Sequence, residues 1–223
     1  MGSGASVQVD GLSAHYGRVC AVDHATLHVR PGERVAVVGS NGSGKSTLLR
    51  CLLGLHRGRV SGSTAIDGTV ATTAAAWAAR RRSIAYVPQR PPVGRFPIRV
   101  DELLRSSGAH RAALAAAESL GLEPVVDRPV DRLSGGQVQR VFLARAIGCV
   151  AAGATVVAAD EPTSALDFSG QVEVADTLLA LAATVLLVTH DASLAARCDR
   201  VAEMAGGLLR ERPAPPARSS DPA

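Results

Sequence analysis

The chain has 223 residues, 24 basic and 20 acidic, a formal net charge of +4, and 47% hydrophobic content. That apolar content excludes a disordered chain, and the length fits one domain of about 100–250 residues with a self-sufficient core. The charge excess is too thin for a nucleic-acid binder. Its densest basic cluster is Arg80-Arg81-Arg82, read as a solvated face, and only three Phe, two Tyr and one Trp are available to stack on bases.

The predicted elements alternate along the chain. Residues 7–29 carry short β-type runs, and Arg30-Pro31-Gly32-Glu33 reads as a turn. Residues 35–38 are wholly apolar, as a buried central strand of an α/β sheet should be. Leu48, Leu49, Leu52 and Leu53 have helical spacing and predict a helix over 45–55. A strand is expected at 83–87. From about 91 to 150 the pattern is helical, with helices at 111–120 and 136–147. Strands at 155–159 and 185–188 flank a helix over about 170–182. A Pro-rich tail, 213–223, is expected to be disordered. The alternation predicts a parallel-rich α/β core from residues 1–90 and 150–212, with a helical insertion at about 91–149.

Other features bound the cell biology. The cysteines Cys20, Cys51, Cys149 and Cys198 lack C-x-x-C spacing and sit in or near apolar segments, so they are expected as buried free thiols in a reducing compartment. The opening Met1-Gly2-Ser3-Gly4-Ala5-Ser6 has no signal-peptide character. It fits the myristoylation pattern M-G-x-x-x-[ST], which chance readily produces in a chain rich in Gly and Ser. The longest uncharged stretches, 146–159 and 177–189, are shorter than the roughly 18–20 residues that span a bilayer. His24 and His28 are four apart in a strand-like stretch without a carboxylate or Cys partner, and no metal site is expected there.

Gly39-Ser40-Asn41-Gly42-Ser43-Gly44-Lys45-Ser46 is G-x-x-x-x-G-K-[ST], placed between an apolar strand and a helix. Glycines let successive backbone N–H groups curl around phosphate oxygens, and the helix N-terminus adds the positive end of its dipole. Lys45, the only lysine among 23 arginines, would place a compact ammonium on the β- and γ-phosphates, and Ser46 would ligate Mg2+. A second apolar strand runs into Asp160-Glu161-Pro162. Carboxylates at the carboxyl end of a parallel strand lie where α/β sheets bind ligands. Asp160 is expected to hold Mg2+, and Glu161 to orient and deprotonate the attacking water.

Leu133-Ser134-Gly135-Gly136-Gln137 resembles the signature of ATP-binding-cassette (ABC) ATPases, and Arg140 with Leu143-Ala144-Arg145-Ala146 extends the likeness. The resemblance implies a P-loop NTPase (RecA-like) core with an antiparallel β subdomain and a helical subdomain, with ATP and Mg2+ as cofactors. It implies that Ser134, Gly135, Gly136 and Gln137 bind the γ-phosphate of ATP held by a second copy, so that two chains sandwich two nucleotides head to tail. Tyr16 resembles the aromatic that stacks on adenine, and the phosphate loop extends through Thr47. Gln89 resembles the Q-loop glutamine, which senses Mg2+ and water. Ser164-Ala165-Leu166-Asp167 resembles the D-loop, with Asp167 at the dimer interface. His190 resembles the switch histidine.

The slim pair Ala158-Ala159 departs from the branched residues usual before Asp160, which is expected to loosen packing there. A free-standing ATPase of this kind implies a separate membrane permease at the cytoplasmic face of a bacterial membrane, with a separate substrate-binding protein. Phe96-Pro97-Ile98-Arg99-Val100-Asp101-Glu102-Leu103 resembles a pattern of manganese, zinc and iron importers, so a divalent metal ion is the expected cargo, which would not bind this chain. An exporter or lipid-release ATPase, or a soluble single-cassette ATPase of cluster assembly, stands as the alternative.

Overall fold

A computed structural model describes residues 4–89 and 98–211. Gly2 of the myristoylation pattern, Phe96 and Pro97 of the importer-like segment, and the 213–223 tail lie outside the described residues. The strands β1 (Val7–Tyr16) and β2 (Val19–Val29) pair antiparallel, Val7 opposite Val29 and Tyr16 opposite Val19. β3 (Arg34–Val38) leads through the glycine-rich loop into α1 (Lys45–Leu52). β4 (Val60–Ile66) joins the free edge of β1, and β5 (Thr69–Val70) pairs with β4 around Asp67-Gly68. These strands make a four-stranded antiparallel sheet in the order β2-β1-β4-β5.

Next come α2 (Ala74–Ser83), β6 (Ile84–Val87), α3 (Val100–Arg105), α4 (His110–Ser119), two short 3-10 turns and α5 (Gly135–Ala151). The chain ends its described part with β7 (Val156–Asp160), α6 (Phe168–Leu179), β8 (Thr184–Thr189), α7 (Ala192–Ala195), β9 (Arg200–Ala205) and β10 (Leu208–Glu211). The second sheet has the order β10-β9-β3-β8-β7-β6, parallel throughout except for β10 on β9.

The apolar strands of this sheet are buried on both faces, which is why they read as continuous hydrophobic runs rather than alternating ones. Val35, Val37, Leu186, Val188, Val156 and Ala158 face one core, shared with α1 and the antiparallel sheet. Ala36, Val185, Leu187, Val157 and Ala159 face the other, shared with α4, α5 and α6. Ala158 and Ala159 are fully buried, one in each core. Because β8 lies between β3 and β7, the loops after all three emerge side by side at the carboxyl ends of the strands.

Three expectations are corrected. Arg80 is buried rather than solvated: its guanidinium donates to Thr64 Oγ1 and to the Thr64 and Thr69 carbonyls, and it lies 4.8 Å from the centre of the Trp77 ring. Buried charge is tolerated there because its donors are matched. Cys20 is exposed, because it sits at the hairpin end of β2, beyond the reach of the core, whereas Cys51 is buried and Cys149 and Cys198 half-buried. The histidines do meet carboxylates: His24 Nδ1 lies 2.7 Å from Asp23 Oδ1, and His28 Nε2 lies 2.6 Å from Asp10 Oδ1.

Candidate nucleotide site

The loop over 39–46 is forced tight by its glycines. Gly44 has φ +112, and a Cβ there would fall 2.2 Å from the Ala21 carbonyl oxygen. At Gly39 a Cβ would fall 2.1 Å from the Met204 carbonyl oxygen, so only glycine fits either position. Lys45 is 5% exposed, and its ammonium donates to the Gly39 carbonyl at 2.7 Å and the Ser40 carbonyl at 3.0 Å. Ser43 Oγ is buried without a hydrogen-bond partner. An orphaned buried hydroxyl, an ammonium parked on carbonyls and a glycine-lined curl at a helix N-terminus all fit a polyphosphate.

Two carboxylates face this loop from β7. Ser46 Oγ donates to Asp160 Oδ1 at 2.8 Å, joining β3's loop to β7 across the intervening β8. Burial pushes the Asp160 carboxyl above the ordinary carboxylate range, opposed by the Ser46 hydrogen bond and by the Arg50 charge. A hydroxyl beside a buried carboxylate is the hard oxygen set that suits Mg2+. Glu161 sits in the left-handed region at φ +50, where the turn out of β7 places it. Its Oε2 accepts from the His190 backbone N–H at 3.2 Å and lies 2.8 Å from His190 Nδ1. Its Oε1 lies 3.8 Å from Lys45 Nζ, so a buried ion pair spans the site.

The loop, Tyr16, Ala21, Gln89 and Glu161 enclose a cleft of about 460 Å3. Tyr16, at the end of β1, is 44% exposed, enough to offer a ring to a base. Two residues that no motif singled out hold that ring: Arg50 Nη1 donates to the Tyr16 hydroxyl at 3.3 Å, and the His56 ring meets the Tyr16 ring edge-on, centroids 4.6 Å apart. Neither has a recognisable spacing signal, since both work by proximity.

Ser134, Gly135, Gly136, Gln137 and Asp167 are not among the residues lining this cleft. Ser134 caps α5: its hydroxyl accepts from Gln137 N–H at 3.3 Å, while Gln137 Oε1 accepts from Ser134 N–H at 3.0 Å. The glycines press on the loop before α6. A Cβ on Gly135 would lie 3.2 Å from Ala165 Cβ, and one on Gly136 would lie 3.1 Å from Leu166 Cδ2. Asp167 caps α6, accepting from Gly170 N–H at 3.0 Å. These residues form a second patch of polar groups and helix-start amides, with Ser134, Gly135 and Asp167 exposed and Gly136 and Gln137 half-buried.

The family model described as ABC transporter matches residues 22–164. The chain belongs to the ABC transporter family. The cassette is 35% identical to a zinc import ATP-binding protein of Pseudomonas putida, over 86% of this chain and 71% of that protein. It is 39% identical to a hemin import ATP-binding protein of Rhodopseudomonas palustris, over 88% and 78%. A dimeric ATP-binding cassette in a post-hydrolysis state, bound to ADP and Pi, superposes with a TM-score of 0.82 at 26% identity, covering 94% of this chain and 99% of that one. The cassette is therefore a transport-coupled ATPase of P-loop NTPase fold that binds ATP and uses Mg2+.

Proposed function

We propose that this cassette powers the import of a divalent metal ion, zinc or manganese, through a separate permease at the cytoplasmic face of a bacterial membrane. The observation that carries the cargo is the 35% identity with a zinc import ATPase across most of both chains. Likeness to hemin import and to a macrolide export protein of Rhodopseudomonas palustris favours the coarser alternative of another solute or direction. A separate substrate-binding protein would deliver the metal. Among the described residues no helix is long and apolar enough to cross a membrane, in keeping with a partner that does. A groove with an apolar floor of Leu55, Tyr86, Pro88, Leu103 and Phe142, flanked by Arg50, Ser106 and Arg145, lies next to Gln89 in the chain and offers that partner a seat. Metal uptake by cells with and without this chain tests the cargo: loss of zinc and manganese uptake is expected, and unchanged uptake would refute it.

We propose a core over 1–90 and 150–212 around a helical subdomain at about 91–149. Lys45 leaves the Gly39 and Ser40 carbonyls and Glu161 to bind the β- and γ-phosphates, with the amides of 39–47 around them. Ser46, Asp160 and Gln89 would hold Mg2+, which supplies positive charge to the phosphates. Glu161, freed from Lys45, accepts a proton from the attacking water, and His190 fixes its carboxylate and reaches the γ-phosphate. Ser134, Gly135, Gly136, Gln137 and Asp167 act on the nucleotide of a second copy, which their position away from the cleft supports. Glu161→Gln should keep ATP binding, stop turnover and accumulate a dimer on size exclusion with ATP. Turnover near the wild-type rate would remove Glu161 from the role of base.

A further inference from the structure

The adenine-binding ring is held in place by the segment that follows the phosphate loop, and not by its own hairpin alone. Tyr16 ends β1, while α1 begins at Lys45 in the phosphate loop and carries Arg50 toward the Tyr16 hydroxyl. Beyond α1 the chain turns at Gly54 and returns along the edge of β1 that β4 goes on to occupy. His56 Nε2 lies 3.0 Å from the His15 carbonyl oxygen, and His15 N–H donates to the Arg59 carbonyl at 2.9 Å. A carbonyl only accepts, so Nε2 carries the proton, and this bond fixes the plane of the His56 ring. Gly58 leaves the space this lacing needs, since a Cβ there would fall 1.8 Å from the same His15 oxygen. The fixed ring meets Tyr16 at an interplanar angle of 71°, the edge-to-face arrangement that aromatic quadrupoles favour.

We propose that His56 is a positioning residue for nucleotide binding: it holds the Tyr16 ring at a set distance from the phosphate loop, so that base and polyphosphate are gripped together. The inference rests on Tyr16 serving as the adenine platform. Lys45 and His56 belong to one short stretch of chain, so that stretch spans the nucleotide from phosphate to base. Loss of the His56 ring leaves Tyr16 tethered only through its hydroxyl by Arg50, with the ring face no longer set, and the base must then order it on binding.

Full-length His56→Ala should raise the KM for ATP about threefold to tenfold, the range set by one aromatic pair, with kcat within about twofold. The inhibition constant of inorganic triphosphate, which has no base, should stay at the wild-type value. His56→Phe, which restores a ring without the Nε2 donor, should recover part of the affinity, the shortfall reporting the lost bond to the His15 carbonyl, and His56→Gln, which has a donor but no ring, should recover none. Tyr16→Ala is the control: if it leaves the KM for ATP unchanged, the platform reading itself is wrong. If Tyr16→Ala weakens ATP binding and His56→Ala does not, the positioning role is overturned. An equal loss of triphosphate binding in His56→Ala would also overturn it, since that points to a damaged phosphate loop.

Discussion

Asp160 shows what the site costs a single residue. It is 2% exposed, and burial raises its carboxyl above the ordinary range. A carboxyl whose folded pKa exceeds its unfolded one favours the fold at pH below the unfolded value, and that contribution is lost as pH rises through the folded value. The cost of burying the Asp160 charge therefore weighs increasingly against folding as pH rises, until a cation arrives. Asp160→Asn keeps an acceptor for Ser46 and should raise the melting temperature of the nucleotide-free chain at pH 7, a gain that shrinks as pH falls toward about 4. Melts at the two pH values check this, and an equal shift at both would contradict the burial argument. Turnover should be lost in the same variant. At this scale the sequence was most legible where chemistry demands fixed spacing: the phosphate loop, Asp160-Glu161 and His190 converge on one end of the sheet. Arg50 and His56 were illegible because they act through a fold that brings α1's far end back beside β1.

The helices show how local preference and packing compete. Gly148 lies inside α5, where alanine would gain about 1 kcal/mol of intrinsic helix propensity. A Cβ there would lie 2.7 Å from Ala113 Cβ on α4 and 2.6 Å from Ser107 Oγ. Forced overpacking costs about 1–3 kcal/mol, and Ala113 has no rotamer to yield. Gly148→Ala should therefore lower the urea midpoint while leaving the KM for ATP unchanged; a higher midpoint would show that α4 and α5 can separate freely. Elements with a continuous apolar run or a leucine stripe, β3, β7, β8 and α1, were readable from the chain. α2 was not, since Ala and Arg give it no apolar stripe and its one deep contact is the guanidinium of Arg80. The β4–β5 hairpin carried a signal in Asp67-Gly68, a pair suited to a turn with positive φ at both positions, and Asp67 is found at φ +44 and Gly68 at φ +70.

At the scale of the whole molecule, the cleft around Lys45 and the patch around Ser134 are separate surfaces, and in the proposed head-to-tail pair they are the two unlike halves of a composite site. This predicts complementation. Lys45→Ala and Ser134→Arg chains should each be inactive alone, yet mixing them should restore turnover, because one of the two sites in a mixed pair combines an intact cleft with an intact patch. No recovery after subunit exchange would count against the head-to-tail pairing. Lys45 carries one more consequence. It is the only side-chain amine in a chain whose other 23 basic residues are arginines, and it is sealed against carbonyls and a carboxylate. Reagents that acylate or cross-link amines will thus find almost no side-chain amine to attack on the folded surface, and an adduct on Lys45 marks a molecule whose nucleotide cleft has opened.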